Sequence, residues 1–208
     1  MIKKHSYLLL ILFFFSACQQ VIEKTAENLV AEKKELIGKY HTLKSEKIKV
    51  FLPEEFNYIS TKDYLEYIEK LKDTFLINTE KQRVDFIKNT GRKIYFFEHF
   101  ESGSIANIMP EKYIKFSNTD AKYLLAIIDK TIKSNSRPYI QYELLESQFK
   151  GNKNLKIFKA IYEVKSPKIE MKIYKHVYFI SYNKKSVLFN LETPVQIDCD
   201  PYIEKIRI

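Results

Sequence analysis

The apolar positions of this chain change their spacing along its length, and each change marks a segment. Tyr7 to Phe15 is an unbroken apolar run behind Lys3 and Lys4. Residues 19–38 are polar, with Ile22, Ala26, Leu29 and Leu36 returning near helical spacing and Gly38 as a stop signal, which predicts a tether helix. Lys33 interrupts that stripe, so a coiled coil is not expected. His41 to Lys49 is polar and lysine-rich and reads as a linker, which starts the compact domain near Ile48. The predicted organisation is an apolar leader over 1–17, a tether helix and linker over 18–47, and a single domain over 48–208.

Within the domain, Ile48 to Pro53 reads as a short strand ended by proline. Ser60-Thr61-Lys62-Asp63 has the form of a capping box, and Tyr64, Leu65, Ile68, Leu71 and Phe75 follow at helical spacing, predicting a helix over 61–75. A second, weaker helix is expected over 79–90, ending at Gly91. Lys93 to Glu101 alternates and is rich in aromatics, as a strand should be. Ser102-Gly103-Ser104 makes the turn into a neighbouring strand, Ile105 to Met109, before Pro110. Ser117 to Asp120 repeats the capping pattern ahead of a helix over 119–134, whose stripe is Leu124, Ile127, Ile128 and Ile132.

The period then changes to two. Tyr139–Phe149, Leu155–Lys165, Ile169–Tyr182 and Val187–Leu191 read as four successive strands. Connections this short require antiparallel neighbours, because a parallel crossover needs a dozen residues or more. In the third of these strands Ile169, Met171, Ile173, Val177 and Phe179 share one face. Tyr174, His176, Tyr178 and Tyr182 form an opposite, half-polar aromatic face that a helix could cover. Asp200-Pro201 opens a short terminal helix. The fold class expected is α+β, an antiparallel meander flanked by helices.

Composition narrows the class. Removing residues 1–17 leaves 191 of 208 residues, enough for a core without disulfide staples. Fifteen Tyr and fifteen Phe make the chain too apolar to be natively disordered. The mature part carries 33 basic against 26 acidic side chains. The excess is almost all lysine, interspersed with Glu and Asp, whereas gripping bases and phosphates bidentately calls for arginine. The expectation is a solvated lysine surface spread over the exposed faces, with no nucleic-acid partner; loose attraction to anionic lipid or glycolipid head groups fits the composition better.

The leader has a positively charged start, Met1-Ile2-Lys3-Lys4-His5, an apolar core, and the small residues Ser16 and Ala17 before Cys18. About nine apolar residues cover only roughly 14 Å as a helix, too short to span a bilayer permanently. Leu12-Phe13-Phe14-Phe15-Ser16-Ala17-Cys18 resembles the lipobox of bacterial lipoproteins, with Phe15 in place of the more usual Leu. That resemblance implies cleavage after Ala17, a diacylglyceryl group on Cys18 and further acylation, so that the protein meets the membrane through lipid on Cys18. Acyl chains anchor in proportion to their buried methylenes, about 0.8 kcal/mol each. Gln19 after the cysteine resembles cargo destined for the outer membrane.

Catalytic and metal chemistry find little footing. His41, His99 and His176 fall in different elements, with no His-x-x-x-His pair. His99 and Glu101 share a strand face while Glu98 points away, so they read as a surface pair and no metal is expected. Asp198-Cys199-Asp200 reads as a helix N-cap beside a small buried thiol, whose reactivity the two carboxylates would suppress. No Gly-x-Ser-x-Gly elbow, phosphate loop or dinucleotide fingerprint occurs, and four glycines leave little room for one. Neither catalytic residues nor a cofactor are assigned.

The element order over residues 48–208 resembles the PsbP-like α/β/α sandwich, with Leu52-Pro53-Glu54-Glu55-Phe56 and the segment from Asp200 to Ile206 matching best. PsbP-like proteins are binding or assembly factors, some lipid-anchored in bacteria, without a shared catalytic site. The resemblance implies a non-enzymatic factor in the cell envelope with an envelope protein or component as partner. Two other classes stay open from sequence: an envelope hydrolase whose site assembles only in three dimensions, and a carrier of an apolar small molecule held between sheet and helix. A deep pocket with convergent carboxylates or His99 would mark the hydrolase; a flat aromatic patch would mark a binding protein.

Overall fold

The computed structural model describes residues 36–71, 73–134, 139–166 and 171–207. The leader, Cys18 and residues 19–35 of the expected tether helix lie outside the described residues. The domain begins with a hairpin of β1 (Lys39–Leu43) and β2 (Ile48–Leu52), joined through a 3-10 turn at Lys44–Glu46. Then come β3 (Asn57–Ile59), α1 (Thr61–Glu69), α2 (Thr74–Asn89), β4 (Tyr95–His99) and β5 (Ser104–Glu111). A 3-10 turn at Asn118–Asp120 leads into α3 (Ala121–Ser134). The meander β6 (Gln141–Gly151), β7 (Leu155–Ser166), β8 (Met171–Tyr182) and β9 (Lys185–Thr193) follows, and α4 (Asp200–Ile203) closes the chain.

Seven strands form one antiparallel sheet in the order β3-β4-β5-β9-β8-β7-β6. Because successive side chains point to opposite faces, Phe96 and Phe97 enter different cores. On one face Phe97, Tyr178 and Phe189 pack with Val50 and Leu52 of β2 and with Ile203 and Ile206 at the C-terminal end. Lys49 and Arg207 exchange backbone hydrogen bonds of 2.7 and 2.9 Å, which ties the terminal segment to the hairpin. The other face is covered by α1 and α2 over Phe96 and Met109, and by α3 over Phe158, Tyr162 and Phe179. Each large side chain buried this way contributes about 1.5–3 kcal/mol. The result is the α+β architecture the periodicity implies.

Several local expectations hold for the reasons given. Ser60 Oγ accepts the Asp63 N–H at 3.1 Å while Asp63 accepts the Ser60 N–H at 3.3 Å, a reciprocal cap. Ser117 and Asp120 repeat it, and α3 follows. The four strands of the meander lie where the alternation puts them, and Tyr178 of the aromatic face of β8 packs under the hairpin and α4.

Other expectations change. Residues 39–43 are not linker: Lys39 pairs with Leu52 and Leu43 with Ile48, so the hairpin is an integral layer. Residues 19–35 of the helix that Gly38 is expected to stop lie outside the described residues; at Gly38 itself a Cβ would stand 2.5 Å from the Leu52 carbonyl oxygen and 2.8 Å from the Phe51 ring. The helix expected over 61–75 is two helices, because Asp73 caps a new one by accepting the Leu76 N–H at 3.0 Å. Phe75 therefore belongs to the first turn of α2 and is exposed. The short strand β3 was not signalled, and β5 runs through Pro110 to Glu111. The edge strand β6 shifts register between Leu144 and Glu146, a bulge of the kind that discourages edge-to-edge pairing.

Candidate functional site

A group of interacting ionisable side chains lies beneath α4. Asp200 is its first residue and Pro201, lacking an N–H, occupies a position where none is needed. Asp200 Oδ2 accepts a hydrogen bond from Lys159 Nζ on β7 at 2.7 Å, and Oδ1 accepts from the Tyr178 hydroxyl on β8 at 2.8 Å. Lys159 Nζ also reaches Glu146 Oε1 on β6 at 2.8 Å. Three strands and the terminal helix are thus joined through one ammonium group and one carboxylate. Lys159 is buried; burial works against its charge, and the bonds to Asp200 and Glu146 outweigh that and raise its pKa. Burial, then the neighbouring Cys199 and Asp200, push the Tyr178 phenol up, so it stays protonated and donates.

Cys199 and His176 sit in the same region and are inert in different ways. The Cys199 thiol is buried, and burial followed by Asp198 and Asp200 pushes its pKa up to about 12. As a thiol it is a poor nucleophile. Asp198 Oδ1 accepts the Asp200 N–H at 3.0 Å, so the Asp198-Cys199-Asp200 run does open the helix, but the N-cap position is Cys199 itself, with no side-chain cap, and not an aspartate as expected. His176 is fully buried, and neither ring nitrogen has a hydrogen-bond partner among the described residues. Burial pulls its pKa down to about 4, so it is a neutral imidazole at physiological pH.

A depression beside the cluster is lined by Gln148, Lys150, Ile157, Ile203 and Glu204 and holds about 10 Å³, room for a single water molecule. The Asp200 carboxylate is already occupied on both oxygens, the thiol is protonated and the imidazole is sealed. This arrangement clamps α4 to the sheet. Lys159 was the residue that sequence reasoning missed. Its signal was its parity: it sits between Ile157 and Ile161 on one face of β7, a charge at an inward position.

The other residues singled out from sequence are scattered. His41 on β1 meets the Phe97 ring edge-on at 4.8 Å, and burial followed by Lys39 lowers its pKa. His99 on β4 packs edge-on against Phe56 at 5.6 Å, and its Nδ1 accepts the Ser102 N–H at 3.3 Å. β4 ends at His99, and Glu101 lies exposed in the turn that follows, so the two do not share the strand face expected from the alternation. Among the described residues no three His, Cys, Asp or Glu side chains are grouped to hold a metal ion. Nor is any described helix long and apolar enough to cross a membrane.

No family model matches the sequence, and no curated protein matches it. A solved structure does match the fold: the solution structure of cyanobacterial PsbP (CyanoP) from Synechocystis sp. PCC 6803, at 11% identity and a TM-score of 0.54. The match covers 86% of this chain and 96% of that one. The domain therefore has a PsbP-like fold, an antiparallel sheet with helices packed on it, as the element order suggested.

Proposed function

We propose that the chain is a lipid-anchored protein of the bacterial cell envelope that acts as a non-enzymatic binding or assembly factor for a protein or envelope component. The observation that carries this reading is the use made of the buried cluster. Its carboxylate, ammonium and phenol are all spent on docking α4, and the depression beside them has room for a water and not for a substrate. The PsbP-like fold is in keeping with it. The anchor rests on the apolar leader and the small residues before Cys18, and Gln19 favours the outer membrane over the inner one.

The anchor is tested by metabolic labelling with radioactive palmitate. The wild-type chain is expected to label and to partition with membranes, and Cys18→Ala to do neither. Label persisting in that variant would overturn the anchor. The binding role is tested by in-cell cross-linking followed by affinity purification, where a saturable envelope partner recovered with both wild type and a Cys199→Ala variant supports it. Turnover of an envelope ester or glycoside by the purified chain, lost on Asp200→Asn, would replace the binding reading with a hydrolase.

A further inference from the structure

The net positive charge of the described domain is concentrated at one end of the sheet, although basic residues occur over the whole surface. An antiparallel meander brings alternate connections to the same end of the sheet, and the registers here align four basic segments. Arg92 and Lys93 precede β4; Lys112 and Lys115 follow β5; Lys184 and Lys185 turn β8 into β9. Lys153 and Lys156 lie at the neighbouring turn from β6 to β7. The turn carrying Lys44 and Lys47 is pinned to the same end: Ser45 and Tyr95 hydroxyls lie 2.9 Å apart, and Lys185 Nζ donates to the Glu46 carbonyl oxygen at 2.7 Å. Residues 111–117 are held there by Ile114, whose N–H donates to Ser186 and whose carbonyl accepts from Ser181.

These five segments contain ten basic residues and two acids, Glu46 and Glu111, each already paired with Lys93 or Arg92. The described residues from Gly38 on carry 27 basic and 21 acidic side chains, so those outside the five segments stand at 17 against 19. Asp120 borders the rim near Lys156, and even with it counted the rim holds the whole charge excess of the described residues. At a strand spacing of about 4.8 Å, the five steps from β4 to β6 make that rim roughly 24 Å long. Tyr113 and Ile114 stand exposed within it, each nearly half open to solvent. Two of its lysines, Lys47 and Lys184, occupy left-handed backbone positions with φ of 55° and 62°, where glycine would be less strained.

We propose that this rim is a docking face for an anionic lipid surface. Protein interfaces are depleted in lysine and enriched in arginine, and nucleic-acid readers likewise favour arginine's fork. Here nine of the ten cations are lysine and the one arginine is tied to Glu111. Lysine point charges around an exposed Tyr-Ile pair suit head groups with shallow apolar insertion. The chain enters the domain at the other end of the sheet, where Lys39 Nζ donates to Asn57 beside the end of β4. The 21 residues from Cys18 to Gly38 extend to about 70 Å at most, longer than the roughly 40 Å of a twelve-residue strand, so an anchored chain has the length to turn its rim to a bilayer. The proposal stands on the rim itself and does not depend on lipid at Cys18.

The test is co-sedimentation of the Cys18→Ala chain with vesicles of phosphatidylcholine alone or with about one third phosphatidylglycerol, where binding to the neutral vesicles subtracts any pull from the apolar leader. Each lysine against an anionic surface is worth about fivefold in binding. Anionic vesicles are expected to bind at least a hundredfold more tightly at low salt, with the preference falling as salt rises. Reversing Lys44, Lys47, Lys112 and Lys115 to Glu should abolish the preference, while reversing Lys39, Lys70, Lys130 and Lys133, the same net change away from the rim, should largely keep it. Ile114→Ser, which keeps every charge, should weaken anionic binding a few-fold, and gives the reading should the quadruple variant fail to fold. Equal binding to both vesicles, or equal loss in both quadruple variants, overturns the proposal. So does capture by RNA or an acidic polypeptide through the same lysines without binding to vesicles.

Discussion

Lys159 Nζ lies 2.7 Å from Asp200 Oδ2, joining the middle of β7 to the first residue of the terminal helix across 41 positions of sequence. The pair is worth more as a docking constraint than as a source of net stability, because desolvating both charges offsets much of their attraction. Removing one partner is different. Lys159→Ala leaves Asp200 and Glu146 without their cation and is expected to cost about 3 kcal/mol by urea denaturation. Asp200→Asn should cost less, since Tyr178 keeps an acceptor. In the Lys159→Met, Asp200→Leu pair the combined loss should be smaller than the sum of the two singles by at least 1 kcal/mol, as for residues in one network.

Cys199 reports on that docking. With its pKa pushed up to about 12 by burial and by Asp198 and Asp200, the native thiol should alkylate roughly a thousandfold more slowly at pH 8 than the thiol of the unfolded chain. In a Cys18→Ala background, iodoacetamide labelling followed by mass spectrometry measures it. Lys159→Ala should speed the reaction well before global unfolding.

His176 makes stability depend on pH. Its folded pKa of about 4 lies below the ordinary 6.5, so the unfolded chain takes up the proton first as pH falls. The contribution is complete above about pH 6.5 and is lost as pH drops through about 4, a change of about 3 kcal/mol. His176→Leu removes the titrating ring and two unpartnered nitrogens, so its stability should vary less over that window. At pH 7 it should match or exceed wild type, as measured by thermal denaturation across pH 4 to 7.

Gly38 tests the hairpin layer. A Cβ there meets backbone, not a flexible side-chain end, 2.5 Å from the Leu52 oxygen. Gly38→Ala is expected to cost about 2 kcal/mol, in the range of overpacking. No loss of stability would mean that β1 is held less closely against β2.

Some of this protein was legible residue by residue. The Ser60 and Ser117 caps, the stripe of α3, the alternation of β6 to β9 and the Asp-Pro start of α4 depend on neighbours within a few positions, and these were read correctly from sequence. The lysine-rich segment around β1 misled because composition outweighs a single inward residue, Leu43. The break between α1 and α2 misled because the cap at Asp73 interrupts an apolar spacing that runs on to Phe75.

What sequence by itself determined is therefore the local structure, the fold class, and the excess of lysine over acid. Only the tertiary structure decided that Lys159, Tyr178 and Asp200 meet, and that the charge excess gathers on one rim. Both depend on distant segments. Inward parity reveals that a strand residue is buried but not which helix will cover it, and a sheet of antiparallel strands sorts its connections to two ends that spacing along the chain does not name.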